Sequence, residues 1–329
     1  MLGVRKFCTL FLLFAVGAGG LILVHSRSRA QDMNSTLVIG SSKLGIAIES
    51  GDLQLTQPQL MHWVQSAADA VATYYGRFPV PHAHLRIIPA GGSGIRHGQT
   101  FGFDGGLIKI RVGAQTTPDE LASDWMLTHE MIHLSFPSMA DEHHWIEEGI
   151  AVYVEPIARI QAGQMSAERM WADLGRDMPK GQPDDGDRGL DHTHTWGRTY
   201  WGGALFCFVA DVRIRKQTQN KKGLQDALRG ILESGGDITH DWDLQETLKV
   251  GDTATSTNVL SALYAEMKDK PVTVDLDAMW KDLGIAPDGK SVRLLDSATS
   301  ASIRRAITAA PAQTHASLRS VAAGRTLAR

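Results

Sequence analysis

Thr128-His129-Glu130-Met131-Ile132-His133 is the stretch that decides how this 329-residue chain is read. Histidines at i and i+4 stand one turn apart on one helix face, so both imidazoles reach a single ion. Glu130 lies about 100° round the helix from His129, where its carboxylate can meet water on the ion's open side. Zinc suits such a site, because imidazole and carboxylate bind it well and three protein ligands leave a fourth position for water. The chain has only two cysteines, Cys8 and Cys207. That excludes a disulfide framework in the body and any multi-cysteine zinc or iron–sulfur site.

The third donor is sought on the next helix, which begins Trp145-Ile146-Glu147-Glu148-Gly149-Ile150-Ala151-Val152-Tyr153-Val154-Glu155. Glu147 and Glu148 point about 100° apart, so only one of them faces the metal. Ile146, Ile150, Tyr153 and Ile157 form the apolar stripe that anchors this helix. Glu155 falls seven residues after Glu148, on the same face, and is a candidate hydrogen-bond partner behind a ligand.

The two motifs together resemble the gluzincin metallopeptidases, the aminopeptidase N-like group in particular. There a His-Glu-x-x-His helix is followed by Trp-Leu-Asn-Glu-Gly-Phe-Ala, whose Glu is the third zinc ligand. The resemblance places that ligand at Glu148 and is continued by Val152-Tyr153-Val154-Glu155. The spacer between His133 and Glu148 is shorter than in aminopeptidase N, a difference that the inter-helix loop absorbs. A tyrosine opening Tyr-Glu-Lys-Gly-Ala stabilises the oxyanion in that group, and Tyr200-Trp201-Gly202-Gly203-Ala204 makes Tyr200 the corresponding candidate. The alternative for Tyr200 is a packing residue in an aromatic cluster with Trp196 and Trp201. The group's Gly-x-Met-Glu-Asn segment, whose Glu holds a free amine, has no counterpart. His97 to Gly106 contains no Glu, so recognition of a free N-terminus is not implied. The resemblance covers residues 98–210 and implies one zinc ion and a thermolysin-like zincin catalytic domain.

The rest of the chain predicts strands first and helices after, an α+β fold with a small β-rich lobe (31–116) and a helical lobe (117–289). Strands are expected at Thr36–Ile39, Gly45–Ile48, His84–Ile88, Gln99–Phe103 and Leu107–Val112, the last two flanking the turn Asp104-Gly105-Gly106. Thr56 caps a helix to Tyr75, and Thr117-Pro118-Asp119-Glu120 is a capping box for one helix reaching Ser135. Further helices are expected at 143–161, 167–176, 196–216, 222–233, 257–268 and 276–283. Residues 290–329 read as a basic Ala/Arg-rich tail with an amphipathic helix near Ile303–Ile307. His143, His144, His192 and His194 each read first as solvated or loop-bridging, although any of them could line the cleft. His194 is the one kept as a candidate for substrate or oxyanion beside Tyr200.

Charge separates the segments. The net charge is −3, yet residues 1–30 carry four basic and no acidic side chains, and 290–329 carry seven basic against Asp296. The body between them is therefore strongly acidic, which argues against nucleic acid as a partner. Arg5 and Lys6 precede an uncharged run from Phe7 to Val24. This reads as an export signal or, at the length that just spans a bilayer, as an uncleaved membrane anchor. Either way the body is expected outside the cytoplasm, in a bacterial periplasm. The sequence reading is thus an exported zinc metallopeptidase acting on a peptide or protein. Two rivals stay open: an anchored zinc-binding domain without activity, and a hydrolase of a non-protein amide such as a cell-wall peptide. Oligomeric state is not encoded in these patterns.

Overall fold

The computed structural model describes residues 33–310, so the expected leader and residues 311–329 lie outside the described residues. Met33–Ile39 (β1) and Ser42–Ile48 (β2) pair antiparallel across a tight turn at Gly40, whose φ is 60°. Gln57–Tyr75 (α1) then crosses over and delivers His82–Ala90 (β3) parallel to β2. The crossover is long because a parallel pair cannot be joined by a hairpin. The helix is well delimited: Thr56 and Gln59 form a capping box at its start, and Gly76 closes it with φ 80°. Ile95–Phe101 (β4) and Leu107–Gly113 (β5) form the expected hairpin, and β5 pairs parallel with β3. The sheet order is β1-β2-β3-β5-β4, which leaves β4 on the edge.

The helical half follows. The single helix expected over 117–135 is two, Pro118–Ser123 (α2) and Met126–His133 (α3). Asp124 makes the break. Its backbone is extended at ψ 139°. Its carboxylate accepts the Met126 and Leu127 N–H groups at 3.0 and 3.1 Å and the Trp63 indole N–H at 3.0 Å. An Asp that satisfies the first free amides of a helix starts a new one. His144–Gln161 (α4) and Ala167–Asp177 (α5) come next, close to their expected limits.

The helix expected from 196 opens as a π-helical turn over Gly197–Gly202 and becomes α-helical at Gly203–Gln217 (α6). Leu224–Glu233 (α7), Val259–Met267 (α9) and Leu276–Leu283 (α10) match expectation, whereas Leu244–Thr255 (α8) was not foreseen. The last described elements are the hairpin Ile285–Asp288 (β6) and Ser291–Leu294 (β7), then Ala301–Thr308 (α11). The boundary expected at residue 290 falls in the turn of that hairpin, and α11 packs on α4, α6 and α10. Five strands followed by a mostly helical region make the α+β class that the sequence predicts. Among the described residues no helix is long and apolar enough to cross a membrane.

Candidate metal centre and active site

Two helices and one strand edge build the site. α3 carries His129 and His133, whose ring centroids stand 5.0 Å apart. α4 packs beside α3 and brings Glu148 between them. Glu148 Oε2 lies 3.1 Å from His129 Nε2 and 3.7 Å from His133 Nε2. The three donor atoms are all within 4.8 Å of one another. A tetrahedral zinc with bonds of ~2.0–2.1 Å needs donor pairs roughly 3.4 Å apart, so this donor set fits zinc in both type and spacing. Protonation agrees. Burial, then the neighbouring His129, pushes His133 down to about 3, leaving a neutral imidazole. Burial alone would raise Glu148, but hydrogen bonds to His129 and His144 outweigh it and hold the carboxylate ionised.

Glu130 turns away from this triad towards the edge strand. The Thr100 hydroxyl donates to its Oε2 at 2.6 Å and also lies 3.0 Å from its backbone carbonyl. Gly98 leaves the room: a Cβ there would meet Glu130 Oε1 at 2.5 Å. Burial raises the Glu130 pKa above the ordinary carboxylate value, against the Thr100 hydrogen bond. Raised affinity for a proton is what a carboxylate base requires.

Tyr200 reaches the same cavity, of about 480 Å³, that holds His129, Glu130, His133 and Glu148. Its approach depends on two glycines. Gly149, next to Glu148, crosses Gly203 so closely that a Cβ on either would overlap the other's backbone. Burial, followed by the charges of Glu148 and Glu130, pushes the Tyr200 phenol up to about 12, so it keeps its proton and can donate. The phenol ring also stacks on Trp196 with centroids 5.8 Å apart. Packing residue and cavity wall are one arrangement.

The other candidates divide. His194 is exposed and does not line this cavity. Glu155 is buried, but its partner is Arg159 Nη1 at 2.9 Å rather than a ligand imidazole, and burial pushes it up to about 7. His143 turns inward to Asp191 at 3.1 Å, and His192 pairs at the surface with Asp269 at 2.9 Å. Of these four histidines, His144 is the one that lines the metal-site cavity, which His97 on β4 lines as well. His144 Nε2 lies 3.2 Å from Glu148 Oε1, the oxygen turned away from the imidazoles, and its Nδ1 3.1 Å from Glu147 Oε2. The two carboxylates push His144 up to about 10. Its i, i+4 spacing to Glu148 was the available signal. For Gly98 and Thr100 the signal was indirect: both fall in the His97 to Gly106 stretch that the resemblance sets against a substrate-binding segment.

No family model matches the sequence, and no curated protein matches it. Solved structures do. An aminopeptidase N family protein from Idiomarina loihiensis aligns over 79% of this chain and 51% of its own, at 12% identity and a TM-score of 0.56. An M1 zinc metallopeptidase from Deinococcus radiodurans aligns over 74% and 53%, at 13% identity and a TM-score of 0.48. The chain shares its fold with that aminopeptidase N family protein. It spans about half the length of these relatives. In this fold the two histidines, the downstream glutamate and the tyrosine line one cavity.

Proposed function

We propose that this chain is a zinc-dependent peptidase. The observation that carries the reading is the convergence of His129, His133 and Glu148 within zinc-ligand spacing, with Glu130 and Tyr200 on the walls of the same cavity. His129 and His133 would hold the ion through Nε2 and Glu148 through Oε2. Zinc, when bound there, would lower the pKa of a coordinated water and polarise a substrate carbonyl. Glu130 is the base that accepts a proton at its carboxylate and passes it to the leaving nitrogen. Tyr200 donates its phenolic hydrogen to the oxygen that gains charge during attack. The outer edge of β4, beside Glu130, offers backbone groups for an extended peptide, which favours a peptide over a compact amide. Residues 1–30 are proposed as an export signal or anchor that places this chemistry outside the cytoplasm, and N-terminal sequencing of the protein from the envelope fraction tests that placement.

The deciding experiment combines metal analysis with a broad peptide-library digest of the purified protein. One zinc per chain and cleavage abolished by a chelator are expected. Glu130→Gln should retain the zinc and lose about two to four orders of magnitude in cleavage rate. A zinc-loaded wild type that cleaves nothing would favour the inactive zinc-binding domain instead. Cleavage of cell-wall peptides alone, read by product mass, would move the substrate away from proteins.

A further inference from the structure

Among the described residues five large hydrophobic side chains are exposed: Val38, Phe103, Trp125, Trp196 and Leu295. Three of the five border the site, Phe103 on the β4 side and Trp125 and Trp196 on the other. Scattered apolar exposure is ordinary, but exposure concentrated around one cleft marks a binding surface. Trp125 is 49% exposed and Trp196 60% exposed. Both line a second cavity of about 480 Å³, which shares His129 and Tyr200 with the metal-site cavity. Trp201 and Leu174 extend its apolar wall. Trp125 meets the His129 ring edge-on at 5.5 Å. An occupant of this space therefore lies directly beside the metal ligand and the phenol donor.

The charges around the cavity say what that occupant is. Glu155 pairs with Arg159. Asp173 takes Arg169 and Arg176, and Asp177 takes Arg176 and Lys180. Lys180 Nζ also lies 5.8 Å from the ring centroids of both Trp196 and Trp201. Each of these acidic and basic side chains on the cavity wall thus already has an opposite charge within the wall. Four cations share three carboxylates there, and a neutral aromatic group gains ring contacts and buries apolar surface without disturbing those pairs.

We propose that this tryptophan-lined cavity is a specificity pocket. It receives an aromatic side chain, or next best a large aliphatic one, from the substrate residue that adjoins the cleaved bond on the side away from β4. The proposal rests on the peptidase reading for its chemistry, but the pocket itself can be tested without it.

Peptides blocked at both ends, differing only in Phe, Leu, Ala or Asp at the two positions flanking one internal bond, are offered to the zinc-loaded protein. Cleavage should prefer Phe at one of the two positions by roughly tenfold or more in kcat/KM over Ala, the value of burying one large apolar side chain. Trp125→Ala and Trp196→Ala should erase that preference, lowering kcat/KM for the Phe peptide roughly tenfold more than for the Ala peptide. Both side chains are exposed, so neither change empties the core. Equal cleavage of Phe and Ala peptides, or equal losses on both in the variants, overturns the pocket and leaves the peptidase intact. In parallel, calorimetric titration of Glu130→Gln with the same peptides should show the Phe peptide binding roughly tenfold tighter than the Ala peptide. Equal affinities there overturn the pocket even if no peptide is ever cleaved.

Discussion

At the scale of single residues, the site is a division of labour among carboxylate oxygens. Glu148 gives Oε2 to the imidazoles and Oε1 to His144, so its plane is fixed from two sides. A ligand held by such a partner needs no reorientation on binding, and loss of the partner weakens metal affinity. His144→Ala is therefore expected to raise the zinc dissociation constant roughly ten- to a hundredfold, measured by competition with a chromophoric chelator. Unchanged affinity would mean that the α4 backbone alone orients Glu148. Tyr200 acts at a different stage. Its phenol keeps its proton well beyond neutral pH, and its hydrogen bond strengthens only as charge appears on the oxygen. Tyr200→Phe should thus lower kcat by about two to three orders of magnitude with zinc content unchanged; a change confined to KM would make it a binding residue. His129, His133 and Glu148 were legible in the sequence because each is fixed by spacing within a helix or by a motif on the next. His144 was visible only as one of four uncommitted histidines, since its role depends on which Glu148 oxygen faces the metal.

Among the elements, the crossing of α4 with the turn that opens α6 is what assembles the site. Gly149 and Gly203 meet backbone to backbone, and a Cβ on Gly203 would also run into the Trp145 carbonyl. That contact brings Glu148 and Tyr200 to one cavity, Tyr200 lying within the π-helical turn over Gly197–Gly202. Gly203→Ala has nowhere to put its methyl group without separating the two elements. It should cost about 1–3 kcal/mol in denaturant unfolding and depress turnover more than zinc binding, because the ligands on α3 and α4 stay together. A stable, fully active variant would show that the crossing relaxes freely. The sequence displayed these glycines but not their encounter, which is a tertiary contact between residues far apart in the chain. The break at Asp124 was hidden for a related reason. A helical pattern continues through it, and only the capture of the Met126 and Leu127 amides by the Asp124 carboxylate divides it. α8 was obscured by Gly251 and by three threonines, which lower helix propensity, although its Asp243 cap, bonded to the Glu246 N–H at 3.1 Å, was present to be read.

For the molecule as a whole, the α+β order was legible because strands and helices occupy separate stretches of chain, but the sheet order was not. The parallel pairs β2–β3 and β3–β5 join strands with other chain between them, and no local signal specifies them. The basic segment after residue 290 shows how composition misleads at this scale. It reads as a basic tail, yet the amphipathic helix expected within it is packed: Ile303 and Ile307 are buried, and Arg304 is only 3% exposed. The Arg304 guanidinium donates to the Leu283 and Gly284 carbonyls at the end of α10, at 3.1 and 2.9 Å, and to Asp296 at 2.5 Å. Arg305, the next residue, meets the same Asp296 from an exposed position. The pair makes a test in which charge is held constant and burial differs. Arg304→Ala removes donors from buried carbonyls and should destabilise by about 1–3 kcal/mol. Arg305→Ala loses only a solvent-screened pair and should leave the midpoint where it is. Ile307→Ala, which opens a cavity where α11 meets α4 and α6, should cost about 2–5 kcal/mol. All three are read from one set of urea unfolding curves. If residues 291–308 were a detachable tail, the three variants would unfold together with the wild type; if they belong to the core that holds α4, Ile307→Ala and Arg304→Ala will shift the midpoint and Arg305→Ala will not.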